Sequence, residues 1–157
     1  MESNWKWKSN VKVTVSDLDG NIIDIQEFHN LITNVGLNMM RDGLYGPGGA
    51  QNLEIKVLGI GSNNTPPAVG QTQLLAETFR KARTSQSKPG TGQQTYVQYI
   101  GPTEAIGVIE ELGWFAGAAA DPGTPNSGIM VSRTLYSRVK TNLESIQIER
   151  TDTFSEV

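Results

Sequence analysis

The side chains that most often carry out catalysis are scarce in this sequence. It contains one histidine, His29, and no cysteine, which excludes a histidine pair, a thiolate nucleophile and a zinc site made of cysteines. A Ser–His–acid arrangement would have to be built around His29, and no nucleophile elbow accompanies that residue. We therefore expect His29 to be a hydrogen-bonded structural imidazole at the end of a strand. We predict that the protein has no catalytic residues and is not an enzyme.

Two short patterns are similar to ligand-binding loops. Asp17-Leu18-Asp19-Gly20-Asn21 has the alternating carboxylates with which a calcium loop begins, but such a loop needs a bidentate Glu at its twelfth position, which is Phe28 here. Gly59-Ile60-Gly61-Ser62-Asn63-Asn64 lacks the third glycine of a phosphate-binding loop, and Pro66-Pro67 prevents a helix from starting after it. We interpret the first pattern as a hairpin turn, and we predict neither a metal nor a cofactor.

The adjacent acids Glu110 and Glu111 are the nearest approach to an acid–base pair. Neighbouring residues of a strand point to opposite faces of the sheet, so a strand predicted over 106–114 separates the two carboxylates and excludes a joint role in general acid–base catalysis. One of the two is instead a candidate for burial beside an arginine.

A basic run, Phe79-Arg80-Lys81-Ala82-Arg83, together with Tyr96 and Tyr99, suggests a surface on which single-stranded nucleic acid could stack. The chain has 13 Lys and Arg against 16 Asp and Glu, and this acidic balance opposes binding to a phosphate backbone. We interpret the run as charges that guard the edge of a sheet. No stretch approaches the roughly 20 apolar residues of a membrane span. We therefore expect neither a nucleic acid nor a membrane as partner.

The elements that would position these residues are mainly short strands. Residues 11–15 and 23–26 alternate apolar and polar side chains around a turn, which predicts a β-hairpin. Further strands are predicted at 55–61, 79–85, 95–100, 106–114, 129–136 and 143–149, the last with Ile146 and Ile148 buried. About seven or eight strands, separated by Gly and Pro and joined by one short helix, indicate a mainly β fold, an antiparallel β-sandwich or open barrel.

One helix is predicted within residues 30–43, begun by Thr33 or Asn34 and ended by Gly43. Its expected core face consists of Leu37, Met40 and Leu44. A single helical turn is also expected at 72–77.

Four glycines are predicted to serve the fold: Gly36, Gly59, Gly61 and Gly113. They lie in or beside the predicted helix and strands, where glycine alone permits a positive φ or the close approach of another backbone. β-Branched replacements at these positions should lower stability.

The first ten residues carry an aromatic pattern that a free terminus does not explain. In an extended chain Trp5 and Trp7 share one side while Lys6 and Lys8 share the other, and the aromatic side needs an apolar groove. We predict that residues 1–10 form an arm on another subunit, with these four side chains as assembly contacts, and that 11–157 is a single β-rich domain. The alternative is that both rings pack on the same domain, because a strand begins directly after the arm.

Five segments in order resemble a family of structural proteins of tailed bacteriophages, described as tail-fibre or minor virion proteins. They span nearly the whole chain: HNLITNVGLN at 29–38, LGIGSNNTP at 58–66, TQLLAETFR at 72–80, IEELGWF at 109–115 and VSRTL at 131–135. The resemblance implies a β-sandwich-like module without an active site, assembled into the virion as part of a tail, a fibre attachment point or a head ornament. Because the chain has no repetitive shaft or receptor-binding tip, a connecting or decorating subunit fits best.

The expected function is therefore structural. We expect a non-enzymatic homo-oligomer that contacts other phage virion proteins and is located in the virion after assembly in the host cytoplasm. An alternative is a carbohydrate- or ligand-binding β-sandwich in which aromatic side chains stack on sugar rings, namely Trp114, Phe115, Tyr96 and Tyr99. A hydrolase that works through His29 is a third possibility.

Overall fold

The structure is a computed structural model that describes residues 4–48 and 52–157. These residues form ten strands and one helix. In chain order the elements are β1 Trp5–Asp17, β2 Ile22–His29, β3 Leu31–Ile32, α1 Asn34–Tyr45, β4 Ile55–Gly61, β5 Glu77–Ala82, β6 Ser85–Ser87, β7 Gln93–Ile100, β8 Gly107–Ala116, β9 Ile129–Lys140 and β10 Glu144–Glu156. The protein is mainly β, with two antiparallel sheets and one short helix. The predicted fold class is confirmed, and the sheets are consistent with a β-sandwich.

Two differences from the predicted elements concern short segments. The strands β3 and β6 have two and three residues, which is too short for the alternation that reveals a strand in a sequence. The helical turn expected at 72–77 is absent. Main-chain N–H groups there, those of Leu75 and Ala76, donate to the Glu111 carboxylate rather than to helical carbonyls.

The contacts within the chain divide it into two compact units. The first consists of the chain up to Asn30 with Arg83–Glu104 and Thr141–Val157, and the second of Leu31–Ala82 with Ala105–Lys140. Each contains one five-stranded sheet, in the order β2-β1-β10-β7-β6 in the first unit and β3-β9-β8-β4-β5 in the second. The prediction of one domain over residues 11–157 stays a prediction.

In the first unit, β1 and β2 form the predicted hairpin. Asp17 closes the turn, because its Oδ1 accepts hydrogen bonds from the main-chain N–H groups of Asp19 at 2.9 Å and Asn21 at 2.8 Å. Gly20 supplies a positive φ of 84°. The bonds from Asn21 above all hold the pKa of the Asp17 carboxyl below its usual value. The interpretation of this pattern as a hairpin turn is confirmed.

The strands β1 and β10 pair along their whole length, with Trp5 opposite Glu156 at one end and Asp17 opposite Glu144 at the other. On one face of the pair the alternating apolar residues are buried: Val11, Val13, Val15, Ile146 and Ile148. The predicted burial of the two isoleucines is confirmed.

The predicted N-terminal arm is the first half of β1. Residues 5–10 pair with residues 151–156 of the same chain, while residues 1–3 lie outside the described part. The prediction that the arm lies on another subunit rather than on its own domain is therefore wrong for residues 5–10. The alternation of Trp and Lys that prompted it continues the period-two pattern of β1, and the main chain of this segment finds its hydrogen-bonding partner in β10.

In the second unit, β4 lies between β8 and β5. Six of its seven residues are buried, which confirms the buried strand predicted at 55–61. A buried apolar cluster of this unit brings together side chains from strands and loops: Val57, Leu74, Phe115, Ala120 and Met130.

The helix α1 begins where predicted and ends later. Thr33 caps it, since its Oγ1 accepts a hydrogen bond from the Gly36 N–H at 3.1 Å and donates one to the main-chain oxygen of Met130 at 2.5 Å. Gly43 lies within the helix, and Gly46, with a φ of 95°, follows its last residue.

The predicted core face of α1 is wrong. Leu37 and Leu44 are exposed, whereas Gly36 and Met39 are the buried residues of the helix. The reason is the capping residue, because Thr33 is tied by hydrogen bonds to β9 and this fixes which side of the first turn faces that strand.

Two of the four predicted structural glycines touch the main chain of a neighbour. A Cβ atom at Gly36 would lie 2.7 Å from the main-chain oxygen of Val131, and one at Gly61 would lie 2.6 Å from that of Ala76. Main-chain atoms cannot rotate out of the way, so neither position has room for a larger residue.

The other two glycines face a buried side chain. A Cβ atom would lie 2.9 Å from Leu74 Cδ1 at Gly59 and 2.7 Å from Leu74 Cδ2 at Gly113. None of the four glycines has a positive φ. Close approach, rather than backbone freedom, is what requires glycine at these positions.

We predict that Gly61→Val lowers the free energy of unfolding by about 3 kcal/mol, because overpacking against a main-chain oxygen cannot be relieved by rotating a side chain. Gly70→Val is the matched control, since a Cβ atom at Gly70 meets nothing within 4 Å. Urea unfolding of both variants and the parent measures the difference. If Gly61→Val unfolds at the same urea concentration as the parent, the close approach at β4 is contradicted.

Candidate functional site

An open depression of about 510 Å³ on the first unit contains the single histidine. It is lined by residues of β1, β2 and β10: Asn10, Val11, Lys12, Glu27, Phe28, His29, Glu149 and Thr151. The strand register sets Lys12 opposite Glu27 on one side and opposite Glu149 on the other. Because adjacent strands lie about 4.8 Å apart, the lysine separates the two carboxylates.

His29 is one of the residues that line this depression. Its Nδ1 shares a hydrogen bond of 2.6 Å with Asn10 Oδ1, as expected for a hydrogen-bonded imidazole at the end of a strand. The depression therefore presents an imidazole, an amide, an ammonium group and two carboxylates side by side. Such a surface can donate hydrogen bonds to a polar ligand and accept them from it.

The adjacent acids Glu110 and Glu111 are separated by their strand as predicted. Glu111 is fully buried, and its Oε2 lies 2.8 Å from Nε of the equally buried Arg133 on β9. The Glu111 carboxylate also accepts hydrogen bonds from the main-chain N–H groups of Leu75 at 3.2 Å and Ala76 at 2.8 Å. Burial of a charged pair is tolerated only when further hydrogen bonds satisfy both partners. The carboxylate thereby fixes the segment that leads into β5.

Arg133 extends the same network to the loop that follows β4. Its Nη1 donates to the main-chain oxygen of Thr65 at 2.8 Å, and its Nη2 donates to that of Asn63 at 3.3 Å. Charge-assisted hydrogen bonds of this kind are stronger than neutral ones. One ion pair therefore holds both ends of the connection between β4 and β5.

We predict that Glu111→Gln lowers the free energy of unfolding by about 3 to 5 kcal/mol, because it leaves the Arg133 guanidinium buried without a counter-charge. Glu110→Gln is the matched control, since the neighbouring carboxylate lies on the opposite face and is only partly buried. Urea unfolding measures both. Equal losses of stability in the two variants would contradict the assignment of the buried role to Glu111.

The basic run on β5 does not form a row of surface charges. Arg80 is 9% exposed, and its Nε lies 2.6 Å from Glu77 Oε1. Its guanidinium carbon is 4.5 Å from the ring centroid of Phe115, and Nη1 donates to the main-chain oxygen of Asp121 at 2.7 Å. The interpretation of the run as an edge guard is therefore wrong for Arg80. This pair holds the loop between β8 and β9.

A third buried pair anchors the first half of β1. Nη2 of Arg150 lies 2.9 Å from Oδ1 of Asp152, and both side chains are fully buried. The same Oδ1 accepts a hydrogen bond from Trp7 Nε1 at 3.0 Å. The rings of Trp7 and Trp5 lie 5.4 and 5.8 Å from the ring centroid of Phe154. The terminal segment is thus fixed by both main-chain and side-chain contacts.

The four predicted assembly residues differ in exposure. Trp5 is 53% exposed, Lys6 and Lys8 are exposed, and Trp7 is partly buried. In β1 the two tryptophans share one face and the two lysines share the other. Their role as assembly contacts stays a prediction.

Beside the third pair lies Tyr96, which is buried on β7. Burial above all, with help from the negative charge of Asp152, raises the pKa of the Tyr96 hydroxyl to about 12. Since the unfolded value is about 10, the folded state holds this proton more tightly. The stability that results is fully present below about pH 10 and is lost as the pH rises towards 12.

We predict that Tyr96→Phe loses less stability than the parent between about pH 9 and pH 11.5, because it has no hydroxyl proton to release. Tyr99→Phe, at an exposed position of the same strand, is the control and should follow the parent. Urea unfolding at a series of pH values measures the three curves. A Tyr96→Phe curve parallel to that of the parent would contradict the assignment.

The aromatic residues proposed for sugar stacking do not form a common surface. Trp114 and Phe115 are fully buried and Tyr96 is buried, while Tyr99, three residues further along β7, is exposed on the opposite face. The stacking interpretation is therefore wrong for Trp114, Phe115 and Tyr96. The two tyrosines considered as a stacking surface for single-stranded nucleic acid therefore lie on opposite faces of β7.

The prediction that one of the adjacent acids is buried beside an arginine is confirmed by Glu111 and Arg133. The sequence also carries a signal for the arginines of the buried pairs, which the predictions did not use. Arg133 lies within a run of buried residues on β9, and Arg150 and Asp152 continue the alternation of Ile146 and Ile148 on β10. A charged residue at a position where the pattern requires a buried one indicates an interior partner. The identity of that partner depends on strand register and cannot be read from the pattern.

Within residues 4–48 and 52–157, no group of three His, Asp or Glu side chains is placed to hold a metal ion. Of the helical segments in the same ranges, none is long and apolar enough to cross a membrane.

Comparison with protein-family models, with curated proteins and with solved structures finds no match to this chain.

Proposed function

We propose that the chain is a non-enzymatic structural subunit of a tailed-bacteriophage virion, where it connects or decorates the tail, the fibre region or the head surface through oligomeric assembly. The ordered segments that resemble tail-fibre and minor virion proteins suggest this class of protein. A mainly β chain with two antiparallel sheets suits the proposal.

The observation that carries the proposal is the aromatic face at the end of the paired strands β1 and β10. Trp5 is 53% exposed although its ring stacks on Phe154. Tryptophan is among the residues that most often anchor protein interfaces, because it buries a large apolar area and can also form a hydrogen bond. A half-exposed tryptophan on a paired strand is therefore a candidate for burial against a neighbouring subunit.

The support beneath this face is rigid. Trp7 is held by Asp152, which is itself paired with Arg150, so the strand that carries Trp5 is fixed before any partner binds. A preformed contact loses little conformational entropy on association. Lys6 and Lys8 keep the opposite face in water.

We predict that Trp5→Ala reduces incorporation of the chain into virions several-fold while the melting temperature of the free chain falls only slightly, because the ring is half exposed. Trp7→Phe is the control, which should lower the stability of the free chain and leave its incorporation into virions unchanged. It removes the hydrogen bond to Asp152, which should lower the free energy of unfolding by about 1 to 2 kcal/mol, and it leaves Trp5 in place.

The measurement is quantitative mass spectrometry of purified particles of the phage that carries this gene, after deletion of the gene and complementation with each variant. The proposed function is refuted if the parent chain is absent from purified particles. Equal incorporation of Trp5→Ala and the parent would refute the role of Trp5 alone.

A second candidate, a carbohydrate- or ligand-binding module, is favoured by the polar depression around Lys12 and His29. Its carboxylates and amide are the groups that bind sugar hydroxyls, and they belong to adjacent strands. Binding to a glycan array that is lost in Glu27→Ala would favour this candidate over the structural one.

A further inference from the structure

The two sheets have four edge strands, and three of them are unsuited to pairing with another chain. Among the described residues these edges are β2 and β6 in the first unit and β3 and β5 in the second. The strands β3 and β6 have two and three residues, and β5 carries Lys81. Short edges and basic side chains are the usual means of preventing edge-to-edge association.

The fourth edge, β2, lacks these protections. It has eight residues and contains no Lys, Arg or Pro. Its isoleucines are displayed to solvent, with Ile22, Ile23 and Ile25 exposed by 60%, 53% and 49%. A long apolar edge strand is a template for pairing with a further strand.

The hydrogen bonds to β1 determine which main-chain groups of β2 face this edge. The Asn30 N–H donates to the Ser9 oxygen at 2.9 Å, and alternate antiparallel pairs then exchange bonds. In the observed register these are the pairs of Val11, Val13 and Val15 with β2. The main-chain groups of Ile25 and Glu27 lie in the intervening pairs and point away from β1, towards the open edge.

We propose that β2 pairs antiparallel with β2 of a second copy of this chain, around a two-fold axis perpendicular to the sheet, with Ile25 opposite Ile25. The two main chains exchange both hydrogen bonds at this central pair. The sheets of the two first units then join into one ten-stranded sheet, twice the five strands of each copy.

The charges of β2 disfavour two other registers. A shift of one residue towards the N-terminus would place Asp24 opposite Asp24, and a shift of two towards the C-terminus would place Glu27 opposite Glu27, both of which are unfavourable. With Ile25 on the axis, Asp24 lies opposite Gln26 of the other copy. The Gln26 amide already donates to Asp24 within one strand at 3.1 Å, so the pair is chemically compatible.

A register with Gln26 on the axis is also less favourable. It brings the two Glu27 positions within two residues of each other along the strands. In the proposed register the two Glu27 positions are four residues apart, Ile25 faces Ile25, and Ile23 lies opposite Glu27 of the other copy, whose charge Lys12 on β1 balances.

The contact is small, because a strand of eight residues buries less than the roughly 800 Å² per partner of a typical stable interface. The dimer is therefore weak in dilute solution. The inference rests on the proposed structural role, since subunits held by further contacts in a particle would pair much more strongly through effective concentration.

Because the chain contains no cysteine, single cysteines test the register directly. In a hydrogen-bonded antiparallel pair the two Cα atoms lie about 5.5 Å apart, within the range of a disulfide. We expect Ile25→Cys to give a disulfide-linked dimer on oxidation of the full chain at about 1 mM, where weak interfaces are populated. Glu27→Cys should not, because its two positions would be four residues, about 13 Å, apart along the strands. Val139→Cys, at an apolar residue 68% exposed on β9, is the control for disulfides that form through random collision of two chains.

Sedimentation equilibrium of the cysteine-free parent and of Ile25→Lys gives the second measurement. Like charges on the axis should weaken dimerisation at least about tenfold, while Val139→Lys should dimerise like the parent. A parent that stays monomeric at about 1 mM, a dimer that survives Ile25→Lys, or cross-linking as fast at Glu27→Cys or Val139→Cys as at Ile25→Cys would overturn the inference. Virion incorporation is a separate readout: a β2-linked dimer absent from particles would support the edge pairing and refute the proposed function.

Discussion

Three buried ion pairs, each between an arginine and a carboxylate, determine how the irregular parts of this protein are held. Taking charges out of water costs several kcal/mol per ion, and this cost is offset only where hydrogen bonds satisfy every remaining donor and acceptor. In this chain the remaining bonds go to loop backbone. Arg133 binds main-chain oxygens of the segment after β4, and Arg80 binds that of Asp121. Loops with few apolar residues are thereby fixed by polar contacts.

A buried ion pair also orders the first half of β1, which carries the aromatic face proposed for assembly. The pair of Arg150 and Asp152 holds Trp7, and this leaves Trp5 displayed on a strand that is already ordered. In this account the interior charges serve the fold, while exposed apolar side chains on rigid strands serve contact with other subunits. The polar depression at His29 is a separate feature of the first unit.

The sequence pattern predicted the features that depend on the local alternation of apolar and polar residues. It did not predict the contacts that depend on how the strands are aligned with one another. The burial of Ile146 and Ile148 and the turn at Asp17 follow from period-two patterning and turn chemistry, and both are observed. The core face of α1 was predicted wrongly, because a short helix offers more than one apolar side and the bond from Thr33 to β9 selects between them. No local pattern reveals that Glu111 meets a partner 22 residues away. The course of residues 5–10 likewise depends on pairing with the far end of the chain.

Native-state hydrogen exchange, followed residue by residue at increasing urea, tests most directly whether the buried pairs fix the loops. The amide of Ala76 donates to Glu111 and that of Asn126 donates to Glu77, although neither residue lies in a strand. If the pairs hold these segments, both amides exchange only through global unfolding, with the same free energy as amides at the centre of β4. Exchange of Ala76 and Asn126 through local opening, at the low free energy expected for the exposed loop at Gly70, would contradict the account.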